Sequence, residues 1–228
     1  MKTALVIAAL LYVASFILGW YMANAQGIFV LELRLGLSNA YAWLHEPFNT
    51  ISKAIIQSIF PSLFATPQRY ALPSQTPSLS RTQTIEIFTV TMVVLFVIGL
   101  VYTFAVTTLP GVVPLVGGII VGFVAVVDGI GFGIRGSGAM TYLEAPPPMP
   151  EAFLAVIVPV LLTLVAQILS STAGFRIAFA TFHANLRTPN FKDAWRDDLK
   201  VYVLVIVLLG MAAVAEWLGY GIVIPFPY

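Results

Sequence analysis

The sequence predicts an all-α membrane protein, a bundle of five transmembrane helices with one or two amphipathic interfacial helices. Two observations lead to this prediction. Of the 228 residues, 59% are hydrophobic and only 9% are charged, whereas soluble domains carry about 25% charged residues. A helix needs roughly 20 apolar residues to cross about 30 Å of hydrocarbon, and the lipid forces such spans to be helical. Five stretches meet that requirement: residues 3–25, 85–108, 112–134, 152–182 and 199–218.

The first stretch, residues 3–25, has a rival interpretation as a secretory signal. Lys2 precedes the apolar run, and Ala23-Asn24-Ala25 resembles the small-x-small site of a signal peptidase. The run is, however, longer than the apolar core of a signal peptide, which has about 7–15 residues. We therefore expect a retained first transmembrane helix.

The segment 27–83 differs in character from the spans on either side. Apolar residues recur in it at helical spacing with polar residues opposite, as in helices that lie at a membrane surface. Pro47 and Asn49 or Thr50 predict the start of the second of two short helices, and the Pro, Ser and Thr content of residues 65–83 predicts a linker. The helices would either cover the side of the bundle or fill a partner's groove. Their stripes comprise Leu33, Leu37, Ala40, Tyr41 and Leu44, then Ile51, Ile55, Ile56, Ile59, Phe60 and Leu63.

Prolines and glycines predict where the later spans end. Leu109-Pro110-Gly111 is expected to form the whole turn between the second and third spans, with Pro114 in the first turn of the next helix. The third and fourth spans are connected by residues 135–150. The fourth span continues past Leu169 to Phe182, and Thr188-Pro189-Asn190 breaks the helix.

The distribution of positive charge predicts a cytoplasmic N-terminus and an extracytoplasmic C-terminus. With the N-terminus inside, six of the 11 Lys and Arg residues are cytoplasmic. The basic residues of 171–200 form a compact group beside a span, where charge has most influence on orientation.

Charged residues inside a membrane are functional candidates by default. The sequence places four in or beside the spans: Asp128, Arg135, Arg176 and Glu216. One interpretation is a proton or ion relay through the two acidic residues. The other is structural: Asp128 pairs with Arg135, two turns away on the same helix face, near the outer surface, and Glu216 reaches the same interface.

Small residues form a strip along the third span. A strip of this kind lets another helix approach closely, because no side chain projects between the two backbones. We expect the partner to be a helix of this chain, with a second copy as the alternative. The strip comprises Gly118, Gly122, Ala125, Gly129 and Gly133.

The connection between the last two spans is the densest polar region. Arg187, Trp195 and Arg196 lie there among further charges. They would either dock a soluble partner or form a solvated elbow in which the tryptophan anchors the chain at the membrane interface.

Composition and motifs exclude several classes of function. The chain has no cysteine and a net charge of +1, which excludes disulfides and cysteine metal sites and gives no basic surface for nucleic acid. The run 131–136 matches a dinucleotide fingerprint but follows no strand. Two histidines make a poor metal site. We therefore expect no catalytic residues, no cofactor and no metal.

The last two spans resemble the stage II sporulation protein M family, the DUF95 group, which includes many archaeal proteins. The resemblance rests on Ser170-Ser171-Thr172-Ala173-Gly174-Phe175-Arg176 and on the run from Leu208 to Glu216 with Pro225 after it. It covers about residues 85–228. Where the family usually has Pro-His-Gly and a glutamate, this chain has Pro159 to Thr163. The resemblance implies an archaeal membrane protein that acts as a scaffold without enzymatic activity.

Two functions follow from these patterns. The first is a non-enzymatic scaffold or accessory subunit in the cell membrane, whose partners are the lipid bilayer and either other membrane proteins or further copies of itself. The alternative is a transporter or permease subunit that uses Asp128 and Glu216. An intramembrane enzyme is the least favoured class.

Overall fold

The structure is a computed structural model that describes residues 2–25, 28–61, 81–113, 116–143, 150–183 and 190–223. These residues form helices and no strands. A π-helical segment, Thr103–Thr108, and a 3-10 turn, Leu109–Val112, extend the third helix. The α-helices are α1 (Lys2–Asn24), α2 (Ile28–Ile59), α3 (Arg81–Tyr102), α4 (Gly117–Leu143), α5 (Pro150–His183) and α6 (Asn190–Val223).

Five helical stretches are long and apolar enough to cross a membrane, as predicted. They span Lys2–Asn24, Ile85–Val112, Gly117–Ile134, Ile157–Thr181 and Asp193–Leu218. The fourth corresponds to the long helix that the sequence extends past Leu169. At 1.5 Å per residue, α5 is about 50 Å long, so it exceeds the thickness of a hydrocarbon core.

Helices α1, α4 and α5 form the centre of the bundle, and α6 packs along the outer side of α5. Helix α3 contacts α6 and α2. In the central group, Tyr12, Ala125 and Leu164 contribute one buried residue from each helix. The α5–α6 contact is built around Ala166, Val205 and Leu209.

Residue size rather than polarity decides which face of α1 is buried. Both faces are apolar, so the helix has no polar side that would mark the outside. Its buried residues instead recur every three or four positions and are mostly small, which is the pattern of helices that pack closely in lipid. They are Ala4, Ala8, Tyr12, Ser15, Gly19 and Met22.

At the crossing of α1 and α4 the two backbones touch. A Cβ atom at Gly133 would overlap the carbonyl oxygen of Phe16, and one at Gly19 would overlap the carbonyl oxygen of Ile130. Neither oxygen is free to move, because each belongs to a helical backbone. The closeness of these two helices therefore depends on the two glycines.

We predict that Gly133→Ala lowers the free energy of unfolding by about 2 kcal/mol, because the added methyl group forces the helices apart. The matched control is Gly99→Ala, where a Cβ atom meets nothing within 4 Å and the gain in helix propensity is about 0.5 kcal/mol. Denaturant titration in mild detergent measures both. Equal stability of the two variants would contradict the close approach.

Helix α2 is one continuous helix, so the prediction of a helix start at Pro47 is wrong. Pro47 lies inside Ile28–Ile59. The first predicted stripe and the second as far as Ile59 lie on this helix, whereas Phe60 follows its end and Leu63 lies outside the described residues. Neighbouring helices stabilise the region around Pro47, since α2 contacts both α3 and α4. Most of the predicted linker, residues 65–80, lies outside the described residues, and α3 already begins at Arg81.

Three predicted helix ends also differ from the structure. The turn between the second and third spans is longer than Leu109-Pro110-Gly111, because regular α-helix stops at Tyr102 and resumes at Gly117; Pro114 lies outside the described residues. Helix α4 continues through the predicted connection to Leu143. Helix α6 begins at Asn190, so the predicted elbow is partly helical.

Candidate functional site: a buried polar core

The carboxylate of Asp128 is fully buried near the middle of α4, with an exposed fraction of 0%. Tyr102 lies within hydrogen-bond distance of both its oxygens, at 2.8 and 2.9 Å. The Nε2 atom of His45 is 3.1 Å from Oδ1. A buried carboxylate requires such partners, because removal from water strongly disfavours an isolated charge. Asp128 therefore joins α4 to α3 and α2.

Two aromatic rings stack on His45 and hold it beside Asp128. The ring of His45 lies 4.1 Å from that of Tyr41 and 4.2 Å from that of Tyr102, centroid to centroid, and both pairs are stacked. Phe48 meets Tyr102 edge to face at 5.1 Å. A Cβ atom at Gly131 would overlap the ring of Tyr41, so the glycine provides the space in which this stack rests against α4.

A second polar group lies where α3 gives way to the π-helical segment. The Ser170 hydroxyl is 2.5 Å from the hydroxyl of Thr107, 2.9 Å from that of Thr108 and 2.7 Å from that of Tyr202. The amide of Gln167 donates to the hydroxyl of Thr103 at 3.2 Å. We call these six residues of the π-helical segment, α5 and α6 the hydroxyl cluster: Thr103, Thr107, Thr108, Gln167, Ser170 and Tyr202.

The π-helical segment and a glycine of α5 bring the hydroxyl cluster together. π-Helical turns are rare and are frequently found at functional sites. Here the segment turns Thr103, Thr107 and Thr108 inward, and all three are fully buried. A Cβ atom at Gly174 would overlap the carbonyl oxygen of Thr107, so α5 lies directly against the segment.

An ion pair lies beyond the hydroxyl cluster, between α5 and α6. Arg176 Nη1 is 2.7 Å from Asp198 Oδ1, and Nη2 is 3.6 Å from Asp197 Oδ2. The side chain of Asp198 is 1% exposed, whereas that of Asp197 is 47% exposed. Asp198 lies four residues before Tyr202, so both are on the same face of α6.

The structure does not bring the side chains of Asp128, Arg176 and Glu216 together. Arg135 is in α4, but its side chain lies outside the described residues, and the described partners of Asp128 are Tyr102 and His45. Glu216 lies next to Trp217, which donates to Thr89 at 3.3 Å. Thr89 is 13 residues before Tyr102, which corresponds to about 20 Å along α3. A direct relay between Asp128 and Glu216 is therefore inconsistent with the geometry.

The strip of small residues on α4 faces α1 and α5 of the same chain. Cβ atoms at Gly129 and Gly133 would meet Ser15 and Phe16 of α1, and one at Gly118 would lie 3.6 Å from the Cβ atom of Ala178 in α5. Gly122 lies near both helices, and Ala125 is fully buried.

The predicted elbow residues have separate positions. Trp195 lies on α6 with its ring 6.3 Å from that of Phe104. The side chain of Arg196 is 73% exposed and 3.6 Å from Asp193. Arg187 lies outside the described residues.

Sequence reasoning missed His45, Tyr102 and the hydroxyl cluster as site residues. A signal was present for the cluster, since Thr107-Thr108 and Ser170-Ser171-Thr172 are runs of hydroxyl residues inside apolar stretches. No comparable signal marked His45, which is 83 residues from Asp128 in the chain.

No family model matches this chain, and neither a curated protein nor a solved structure is significantly similar to it. Function is therefore inferred from the fold and the polar core.

Proposed function

We propose that this chain is a multi-pass protein of the cell membrane, with a cytoplasmic N-terminus and an extracytoplasmic C-terminus, and that it acts as a non-enzymatic scaffold or accessory subunit. The observation that supports this role best is the exposed apolar surface of α3 and α6. In the most apolar stretch of α3 and in that of α6, only 17% of the residues are buried, against 56% in α4. The resemblance to the sporulation protein M family implies the same role.

A groove between α3 and α6 is a suitable place for a partner to bind. Thr89 and Trp217 line one end of it, and Phe96 and Gly210 line the other. Ala213 lies three residues from Gly210, so one face of α6 offers two small residues that another transmembrane helix can approach closely. The expected occupant is an apolar helix of a second membrane protein.

The test is gentle extraction from native membrane followed by identification of the proteins that remain bound. Gly210→Phe fills the groove and should reduce the recovered partner at least tenfold. Leu204→Phe is the matched control, because Leu204 is 49% exposed and lies about 120° around α6 from Gly210. A lone monomer from the wild-type chain would overturn the proposal, and a homodimer would identify the partner as a second copy.

A transporter or permease subunit is the second candidate, and Asp128 favours it. A carboxylate at the middle of a span, bonded to a histidine and a tyrosine, resembles the proton relays of pumps and transporters. The nearby break in α3 adds the irregular backbone at which such proteins bind ions.

We expect Asp128→Asn to abolish proton-driven flux in liposomes if the chain is a transporter, because the amide cannot exchange a proton with His45. Glu216→Gln is the comparison variant, and we expect it to retain flux. An equal loss of flux would require a proton path between Asp128 and Glu216, which lie about 20 Å apart. Unchanged flux in Asp128→Asn would exclude this function.

A further inference from the structure

We propose that the hydroxyl cluster binds a small monovalent cation, sodium, between the π-helical segment, α5 and α6. This inference does not depend on the scaffold function. It rests on the balance between protons and oxygen atoms in the cluster, on one buried oxygen without a partner, and on the backbone at the end of α3.

The hydroxyl groups of the cluster lie close to backbone carbonyls as well as to one another. Thr107 and Ser170 both donate to the carbonyl oxygen of Thr103, the latter at 3.1 Å. Thr108 donates to the carbonyl oxygen of Ser170 at 2.9 Å. Each hydroxyl has a single proton, so a hydroxyl that donates fully to a carbonyl has none left for a neighbouring side chain.

The side-chain oxygens nevertheless converge. Ser170 Oγ lies 2.5 Å from Thr107 Oγ1 and 2.9 Å from Thr108 Oγ1. Tyr202 is within hydrogen-bond distance of both Ser170 and Thr108 but has one proton for the two of them. The four hydroxyl groups thus supply four protons for seven close contacts between oxygen atoms. The contacts that lack a proton bring lone pairs together in a buried place, and a positive charge beside them relieves this repulsion.

Gln167 supplies a further oxygen. Its side chain is 4% exposed, its Nε2 atom donates to Thr103, and its Oε1 atom is buried with no hydrogen-bond partner among the described residues. An unsatisfied buried acceptor costs about 1–3 kcal/mol. Gln167 lies one turn before Ser170 on α5, and its amide group reaches the cluster through the contact of Nε2 with Thr103.

The chemistry of the ligands selects the ion. All the ligands are oxygens, which hard cations prefer, and the cluster contains no carboxylate, which favours a single positive charge over two. The crowding of the oxygens favours the smaller sodium ion over potassium. Within the described residues no lysine or arginine donates to the cluster, since Arg176 bonds to Asp197 and Asp198.

The backbone around the hydroxyl cluster also favours a bound cation. The carbonyl ends of helices carry partial negative charge, and α3 ends at this place in the π-helical segment and the 3-10 turn. In membrane transporters, sodium is coordinated by the unwound carbonyls of interrupted helices. The hydroxyl cluster has the same combination of an interrupted helix and inward-facing oxygens.

The experiment measures the unfolding temperature of the purified full chain in mild detergent, in NaCl, KCl or choline chloride at one ionic strength and one pH. We expect the Tm in NaCl to exceed that in choline chloride by several degrees, because a ligand that binds only the folded state stabilises it. KCl should have a smaller effect. The same Tm in all three salts would overturn the proposal.

Variants locate the site. Ser170→Ala and Gln167→Leu should each remove at least nine-tenths of the sodium-dependent shift, whereas Gln167→Glu, which keeps the oxygen, should retain it. Thr172→Val is the matched control, because this buried hydroxyl of α5 donates to the carbonyl of Ile168 and contacts no described residue of the cluster. If Ser170→Ala does not fold, the binding of radioactive sodium to the wild type and to Gln167→Leu tests whether the cluster holds the ion. Less than one ion per chain in the wild type, or equal binding by both proteins, would refute the site.

Discussion

Replacing Tyr102 by phenylalanine should lower the free energy of unfolding by about 3 kcal/mol. The substitution keeps the ring that stacks on His45 and meets Phe48, and it removes only the hydroxyl group. Asp128 then loses the Tyr102 hydroxyl, which lies within hydrogen-bond distance of both its oxygens, and keeps His45 at 3.1 Å. A hydrogen bond to a buried charge is worth more than one between neutral groups. Denaturant titration in mild detergent measures the difference.

Two further variants separate the loss of these bonds from general damage. Tyr12→Phe is the control: the Tyr12 hydroxyl is also buried but bonds to the neutral Ser171 at 3.3 Å, so we expect a cost of only about 1 kcal/mol. Adding Asp128→Leu to Tyr102→Phe should recover at least half of the lost stability, because it removes the buried carboxylate that has lost its tyrosine donor. A double variant less stable than Tyr102→Phe would contradict this account of the site.

The ion pair of α5 and α6 gives the other large effect. Arg176→Met should lower the free energy of unfolding by about 4 kcal/mol, because Asp198 would remain as a buried carboxylate without its cation. Asp198 is the sensitive partner, since its side chain is 1% exposed and its Oδ2 atom is already buried without a hydrogen-bond partner among the described residues.

The control for Arg176→Met is Arg196→Met on α6. Arg196 is 73% exposed and pairs with an exposed Asp193, and pairs of this kind contribute at most about 1 kcal/mol. Combining Arg176→Met with Asp198→Asn should restore part of the stability, because the charge that lacked a partner is removed. Similar losses for Arg176→Met and Arg196→Met would show that burial of Asp198 does not determine the effect.

The positions of the five long apolar helices were predictable from sequence, because each follows from length and composition alone. Their ends were less predictable. Gly136 and Gly138 suggested a loop, yet α4 continues through them, since Ser137 accepts a hydrogen bond from Asn24 at 2.8 Å and α1 supports this part of the helix. Pro47 suggested a boundary, yet α2 continues through it where it contacts α3 and α4.

The polar core was only half predictable. Asp128 was identified because a charge in an apolar run is conspicuous. Its partners were not, because Tyr102 and His45 come from helices whose arrangement no periodicity reports. Asp128 was predicted to pair with Arg135 because both lie on one face of one helix, and a sequence pattern reveals only neighbours of this kind. The described partners of the carboxylate lie on two other helices of the bundle.

The arrangement around Asp128 has a consequence for how the chain enters a membrane during translation. An aspartate at the centre of a helix opposes insertion by about 2.5–3.5 kcal/mol. His45 and Tyr102 both precede Asp128 in the chain, so both partners of the aspartate have already been synthesised when α4 leaves the ribosome. The glycine-lined contact of α4 with α1 likewise joins it to a helix made earlier. The order of synthesis thus allows α4 to meet its neighbours before it must face lipid alone.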